Sequence, residues 1–156
     1  MSHVSRGKAF EEEIRKAFER EPNTSVTRLI DPQNGYAGVR NICDFIVYKR
    51  PSQFFIECKS HYGNTLNFKG DITENQWNGM LEMSKVDGVV AGIIVWFIDH
   101  DKTVFIPIER LEFYKQQGYK SVNINKMWDT DWVLIEGKKK RIMYEYDMAS
   151  FFANFC

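Results

Sequence analysis

The sequence predicts a single α/β domain in which helices flank a mixed central β-sheet. Three observations predict this class. An amphipathic helix begins the chain, two β-rich runs follow as a hairpin, and a second helix separates the hairpin from a continuously apolar run. We place one domain over residues 1–156, because a chain of this length buries roughly two thirds of the surface that its unfolded form exposes.

The first helix is predicted over residues 5–20, where apolar side chains recur at the spacing of one helical face. These side chains are Phe10, Ile14, Ala17 and Phe18. The polar stretch 21–41 contains proline, asparagine and glycine, so it is predicted as a loop that allows one short strand over 26–30. Residues 42–48 and 54–59 are rich in β-forming side chains and are predicted to pair as a hairpin.

A second helix is predicted over residues 73–86, and a strand that is buried on both faces over 89–98. The next elements are a strand over 103–106 and a short helix from Pro107 to Gln117. A strand pair, 132–136 with 141–145, is predicted to flank the turn GKKK. A last helix is predicted from the spacing of Tyr144, Met148, Phe151, Phe152 and Phe155.

The composition is typical of a soluble globular protein, with 44% hydrophobic and 27% charged residues. Twenty-one basic and 21 acidic residues give no net charge, which argues against a protein that only coats nucleic acid electrostatically. No apolar run is long enough to span a bilayer, and the first residues lack the apolar middle of a signal peptide. We therefore expect a cytoplasmic protein without a membrane partner.

The three cysteines, Cys43, Cys58 and Cys156, form no CxxC pair. Cysteine in an apolar run usually behaves as a small hydrophobic residue. We therefore expect reduced thiols rather than a disulfide or a zinc site.

Charged residues interrupt the hairpin at three positions where a sheet core would be apolar. Glu57 and Lys59 are two residues apart, so their side chains project from the same face of the strand. If Lys49 pairs with Ser52, Asp44 lies directly opposite Glu57. That register also places Ile42 opposite Lys59, and leaves an apolar second face of Cys43, Phe45, Val47, Phe54, Ile56 and Cys58.

Two carboxylates that lie directly opposite each other repel unless a cation lies between them. Oxygen ligands of this kind suit Mg²⁺ or Mn²⁺, so Asp44 and Glu57 are predicted as metal ligands. Lys59 would then stabilise charge on a phosphoryl group, or position or deprotonate a water molecule. The alternative is that Lys59 only forms a cross-strand salt bridge near the end of the sheet.

The hairpin contains the dipeptide CD, then twelve residues, then the tripeptide ECK. This pattern resembles the signature of the PD-(D/E)XK nuclease superfamily, with Cys43 where the signature often has proline. The resemblance implies a restriction-endonuclease-like fold. Within that superfamily, RGKAFEEEI resembles the N-terminal helix of Holliday junction resolvases. The segment from Ile56 to Phe97 is similar in order and spacing to RecU-type resolvases. The resemblance covers about residues 5–20 and 42–108 and fades over the last third.

The resemblance implies two further catalytic residues. Glu11 stands at the position of a glutamate that completes the acidic metal site, directly or through water. Gln76 stands at the position of a glutamine that positions the attacking water or contacts a phosphate. Each has an alternative role, because Glu11 suits a solvated helix face and Gln76 suits a capping box that begins with Thr73. The backbone carbonyl of Cys58 is implied as a further metal ligand.

Basic clusters and residues near the signature are predicted to contact DNA phosphates, and a solvated turn or helix end is the alternative for each cluster. The predicted DNA-binding residues are Arg6, Lys8, Ser60, Lys69, Lys138, Lys139 and Lys140.

The function that the resemblance implies is a Mg²⁺-dependent, structure-selective endodeoxyribonuclease that resolves four-way junctions in DNA recombination and repair. It would act as a homodimer, in a bacterial host cell if a phage encodes it. One departure is that 28–41 is too short or too different to identify with the stalk of RecU-type enzymes. The alternatives are a restriction-like, repair or flap nuclease, a catalytically silent DNA-binding module, and a protein or RNA contact through the lysine-rich turn.

Overall fold

A computed structural model describes residues 3–30, 41–126 and 131–155 of the chain. The helices and strands follow in the order α1 (His3–Arg20), β1 (Ser25–Arg28), β2 (Phe45–Lys49), β3 (Ser52–His61), β4 (Thr65–Asn67), α2 (Phe68–Asp71), α3 (Glu74–Ser84), β5 (Val89–Phe97), β6 (Lys102–Pro107), α4 (Ile108–Gln116), β7 (Ser121–Asn123), β8 (Val133–Leu134), β9 (Gly137–Lys139), β10 (Tyr144–Tyr146) and α5 (Met148–Ala153). None of the described helices combines the length and the hydropathy that crossing a bilayer requires.

A six-stranded mixed sheet forms the centre of the domain, in the order β1-β2-β3-β5-β6-β8. The strands β3 and β5 are parallel, and the other neighbours are antiparallel. The connection from β3 to β5 includes α2 and α3, as a parallel pair requires a crossover. Every residue of β5 from Ala91 to Phe97 is buried, so the predicted central strand is confirmed.

Helices cover both faces of this sheet and define two apolar cores. On one face, α1 and α5 cover the sheet, and the predicted apolar stripe of α1 is buried at Phe10, Ile14, Ala17 and Phe18. On the other face, α3 and α4 bury Trp77, Met80, Ile108 and Leu111 against β5 and β6. The predicted mixed α/β architecture with flanking helices is therefore confirmed.

The hairpin register is confirmed from Lys49↔Ser52 to Phe45↔Ile56, but the ladder ends one residue before the register reaches Asp44. The Asp44 amide donates to the Ile56 carbonyl at 3.0 Å instead. Residues before Phe45 lie outside β2, so their side chains no longer alternate between the two faces of the sheet. Two predictions were therefore wrong. The Cys43 side chain belongs to the core on the α3 face of the sheet, whereas Phe45 belongs to the core on the other face. Ile42 packs on Gly79 of α3 rather than opposite Lys59.

The C-terminal third differs most from the prediction. The first three residues of GKKK, Gly137–Lys139, form the strand β9 and not a turn, and β9 pairs with β10. The turn follows at 140–143, where the Lys140 amide donates to the Met143 carbonyl at 2.8 Å. All three residues of β9 are exposed, so no alternation of apolar and polar side chains marks this strand in the sequence.

Smaller corrections concern boundaries. The last helix begins at Met148, because Tyr144 belongs to β10 and Asp147 caps the helix by accepting a bond from the Ala149 amide at 3.0 Å. Of the predicted strand 132–136, only Val133–Leu134 pairs with β6. The loop predicted before the second helix contains β4 and α2, and β4 pairs with β7. Within the predicted loop 21–41, residues 31–40 lie outside the described residues, as does Cys156.

Candidate active site

The structure brings Asp44 and Glu57 together at the point where the chain enters β2. Glu57 lies within β3 and is the one charged residue that is buried among the described residues, with 4% of its surface exposed. The Oδ2 atom of Asp44 accepts a hydrogen bond from the Cys58 amide at 2.8 Å. The two carboxyl groups are close enough that each affects the pKa of the other. The predicted convergence of these two acids is therefore present, although Asp44 lies just outside the ladder.

The electrostatics of this pair favour either a shared proton or a cation. Burial raises the pKa of Glu57 to about 8, the charge on Asp44 raises it as well, and Lys59 opposes both effects. Burial likewise raises the pKa of Asp44, while the Cys58 amide and the charge on Lys59 lower it. Two carboxylates held this closely cannot both ionise at neutral pH without a compensating charge.

Lys59 lies on the same face of β3 as Glu57, as the spacing predicts. Its Nζ atom is 3.2 Å from Oε2 of Glu57, and 25% of its side-chain surface is exposed. The ion pair thus forms within one strand, whereas the alternative prediction expected a cross-strand pair. Because the ammonium group is partly exposed, it can contact a bound phosphate without leaving the acidic pair.

Gln76 connects the start of α3 to Glu57. Its side-chain oxygen accepts from the Thr73 amide at 3.1 Å, and its own amide donates to the Thr73 hydroxyl at 3.1 Å, so the predicted capping box is confirmed. The Nε2 atom of Gln76 also donates to Oε2 of Glu57 at 3.0 Å. One glutamine therefore both caps the helix and contacts the acidic pair.

Glu11 lies on α1 and reaches the site from the other side of the sheet. Its Oε1 atom is 3.1 Å from the Arg28 guanidinium. Burial raises the pKa of Glu11, and the charge on Asp44 adds to that effect, so the two acids interact electrostatically. Within the described residues, however, no three His, Cys, Asp or Glu side chains converge closely enough to hold a metal ion. Metal coordination by Glu11 and by the Cys58 carbonyl stays a prediction.

Arg28 is the one residue near the site that sequence reasoning missed. It lies in β1, the strand next to β2, and its charge lowers the pKa of both Glu11 and Asp44. A basic residue in a short exposed strand is a weak signal. Only the pairing of β1 with β2 shows that Arg28 faces the acids.

Two of the predicted DNA-binding residues lie together near the end of β3. Arg6 stacks over the Tyr62 ring, with its guanidinium carbon 5.3 Å from the ring centroid, and bonds to the Tyr62 hydroxyl. The first turn of α1 approaches Ser60 closely, because a Cβ atom on Gly7 would lie 3.7 Å from the Ser60 hydroxyl oxygen. Arg6 and Ser60 are therefore near Lys59.

The other predicted DNA-binding residues are more dispersed. Lys8 is exposed on α1, and Lys69 is exposed on α2. In the basic strand β9, Lys139 lies 3.6 Å from Asp101. Next to it, Lys140 lies 3.9 Å from Glu13. The basic strand therefore contacts acids other than Asp44 and Glu57, and its DNA contact stays a prediction, as does that of Lys138.

Comparisons with known proteins find structural similarity but no matching family or curated sequence. A scan against known protein families finds no match, and a search of curated proteins finds no similar sequence. Among solved structures, the fold is similar to that of Hjc, a Holliday junction resolvase from the archaeal hyperthermophile Archaeoglobus fulgidus. The similarity covers 66% of this chain and 78% of that chain, with 18% identity and a TM-score of 0.46. At this identity, the similarity concerns the fold and assigns no role to any residue.

Proposed function

We propose that this protein is a Mg²⁺-dependent, structure-selective endodeoxyribonuclease that resolves four-way DNA junctions by phosphodiester hydrolysis. The observation that carries the proposal is the pair formed by half-buried Asp44 and buried Glu57, with Lys59 and Gln76 both in contact with Glu57. Asp44, Glu57 and Lys59 stand at the positions that resemble the PD-(D/E)XK signature, with Glu57 and Lys59 on β3 and Asp44 directly before β2. An acidic pair of this kind is costly to bury, and a metal-dependent active site explains why it is retained.

The donor set fits a hard divalent cation. Glu57 is buried and Asp44 is half-buried, the pKa of each is raised, and both offer carboxylate oxygens, which Mg²⁺ and Mn²⁺ prefer. Asp44 and Glu57 would hold the ion, and the Cys58 carbonyl and Glu11, directly or through water, would complete its ligands. Such an ion polarises a phosphate oxygen and lowers the pKa of a bound water.

The remaining residues of the site have distinct roles in this proposal. Lys59 places a positive charge beside the scissile phosphate, where it stabilises negative charge that develops during hydrolysis. Gln76 holds Glu57 in place through the 3.0 Å hydrogen bond. From its position in the first turn of α3, Gln76 would also orient a water molecule or a phosphate. Arg6 and Ser60 would contact the DNA backbone next to the scissile bond.

A two-fold dimer suits a substrate with two-fold symmetry. A four-way junction is resolved by two cuts, so two identical sites at a fixed spacing can make both. Binding through phosphates predicts strong salt dependence and little preference for base sequence. The homodimer is part of the proposal and is tested separately by light scattering.

The decisive experiment compares cleavage of a labelled immobile four-way junction with cleavage of a linear duplex and a splayed arm. Wild-type protein is assayed with Mg²⁺, with Mn²⁺ and with EDTA, and Asp44→Asn serves as the variant without the metal site. The proposal predicts paired symmetric cuts in the junction, which are lost in Asp44→Asn and in EDTA.

Two other outcomes would redirect the proposal. Equal cleavage of all three substrates would indicate a restriction-like, repair or flap nuclease with the same site. Binding of the junction without cleavage by the wild type in either metal would indicate a catalytically silent DNA-binding module.

Replacing Gln76 separates its two roles. Gln76→Leu and Thr73→Ala both disrupt the capping box, so each is expected to lower the free energy of unfolding by about 1 kcal/mol. Only Gln76→Leu removes the contact with Glu57, so only that variant is expected to lower the cleavage rate, by roughly tenfold or more. Urea unfolding and single-turnover cleavage measure the two effects. Equal loss of activity in both variants would assign Gln76 a structural role alone.

A further inference from the structure

A pocket of about 310 Å³ lies between α2 and the end of α4. Its volume is at the lower end of the range of small-molecule sites, roughly 300–1,000 Å³. The side chains that define it are Asn67, Phe68, Lys69, Lys115, Tyr119 and Lys120. The pocket thus combines aromatic walls with three lysines, and no carboxylate lines it.

The charge of this pocket stands out in a chain with no net charge. Within the described residues, no salt bridge engages Lys69 or Lys120, and Lys115 lies over the Trp77 ring at 4.9 Å from its centroid. Two acids on the same helices accept hydrogen bonds from neutral donors. Asp71 accepts from the Asn67 amide at 2.7 Å, and Glu112 accepts from the Trp77 indole at 2.7 Å. The lysines that line the pocket therefore present positive charge that an anion can contact.

Tyr119 gives the pocket an exposed aromatic surface. The residue is 53% exposed, and its ring meets Tyr114 edge to face with centroids 6.3 Å apart. Gly118, with φ of +94°, turns the chain so that Tyr119 follows the end of α4. An exposed ring next to lysines is the combination that proteins use to stack a nucleobase and bind its phosphate.

The pocket adjoins the candidate active site through α2 and the first turn of α3. Phe68 packs on Trp77 with ring centroids 5.1 Å apart, and Trp77 follows Gln76, the residue that contacts Glu57. On the other side, His61 at the end of β3 lies 4.0 Å from Asp71 of α2. The helix α2 therefore lines the pocket with Phe68 and Lys69 and contacts the end of β3 through Asp71.

We propose that this pocket binds an unpaired nucleotide of branched DNA, with the base stacked on Tyr119 and the phosphate among Lys69, Lys115 and Lys120. The inference rests on the proposed function and deepens it, because base pairs at a branch point open more readily than base pairs inside a continuous duplex. A base in a duplex is stacked on its neighbours and cannot enter the pocket without unpairing. The pocket therefore selects DNA with single-stranded character at the branch point.

The test measures equilibrium binding in EDTA, so it does not depend on cleavage. The probes are a fluorescent oligodeoxythymidylate and a linear duplex of the same length. Tyr119→Ser is expected to weaken binding of the single strand by about tenfold and to leave duplex binding unchanged. Tyr119→Phe keeps the ring and should retain wild-type affinity. Tyr48→Ser is the matched control, because Tyr48 is 49% exposed at the hairpin end of β2.

A second variant covers the case in which Tyr119→Ser is unstable in a thermal melt. The double variant Lys69→Gln with Lys120→Gln is expected to release about one to two fewer ions on binding single-stranded DNA. The slope of log affinity against log salt concentration measures this number. Unchanged single-strand affinity in the folded variants, or an equal loss on both probes, would overturn the proposal. If the wild type cleaves no substrate but the variants still lose single-strand binding, the pocket proposal stands and the nuclease proposal is rejected.

Discussion

Glu57→Gln is expected to abolish Mg²⁺-dependent cleavage. At pH values above about 8, the metal-free variant is also expected to have a higher free energy of unfolding than the metal-free wild type. Both effects have one cause. Glu57 is buried next to Asp44, where a second negative charge is unfavourable without a cation. Gln is isosteric and keeps a hydrogen-bond donor toward Asp44, but it carries no charge and is a poor ligand for Mg²⁺.

The sign of the pH effect follows from the direction of the pKa shift. The pKa of Glu57 is about 8 in the folded protein, and its ordinary value is 4.5. Between these two pH values, the folded state binds more protons than the unfolded state, so stability falls as the pH rises. The loss is on the order of a few kcal/mol, and it should be absent in Glu57→Gln.

Urea unfolding at about pH 6 and about pH 9, with EDTA and with Mg²⁺, measures this linkage. Mg²⁺ should stabilise the wild type at the higher pH and leave Glu57→Gln unaffected. Glu109→Gln is the control, because burial also raises the pKa of Glu109 but this residue lies on α4, away from Asp44. Cleavage by Glu57→Gln, or a wild type that becomes more stable with rising pH, would contradict the assignment.

Phe54→Ala is expected to have the largest effect on stability, a loss of about 3–5 kcal/mol in the free energy of unfolding. Phe54 is 1% exposed on β3, and its ring contacts the rings of Phe151, Phe152 and Phe155 at centroid distances of 5.5, 5.4 and 5.3 Å. Since α5 has only six residues, it depends on this packing and not on its own helix propensity.

Thermal unfolding checks this prediction, and a decrease in Tm of roughly 10 °C is expected for a domain of this size. Phe113→Ala is the matched control, because Phe113 is 44% exposed on α4 and its removal leaves no cavity in either core. Similar decreases in the two variants would show that the aromatic cluster around α5 does not hold the C-terminal segment in place.

Elements with a strong local pattern could be predicted from the sequence. The helix α1 and the strand β5 have apolar residues at helical spacing and in one continuous run, and the structure confirms both. The short strands β4, β7 and β9 could not be predicted, because each has three residues and is defined only by its partner. Three residues are too few to show a periodicity.

The same distinction applies to the candidate site. Asp44, Glu57 and Lys59 lie on one hairpin, so alternation and register predicted their convergence with no knowledge of the rest of the chain. The exact position of Asp44 was not predictable, since the ladder ends at Phe45 and the chain then turns toward α3.

The sequence by itself determined which residues are charged within an apolar hairpin, and therefore where chemistry is to be expected. Only the tertiary structure decided which distant side chains join them. Gln76 reaches Glu57 from α3, Arg28 reaches Glu11 from β1, and Tyr119 approaches α2 from the end of α4. The physical reason is that each of these contacts depends on how helices pack on a sheet, and that packing is set by the buried apolar faces rather than by the residues in contact.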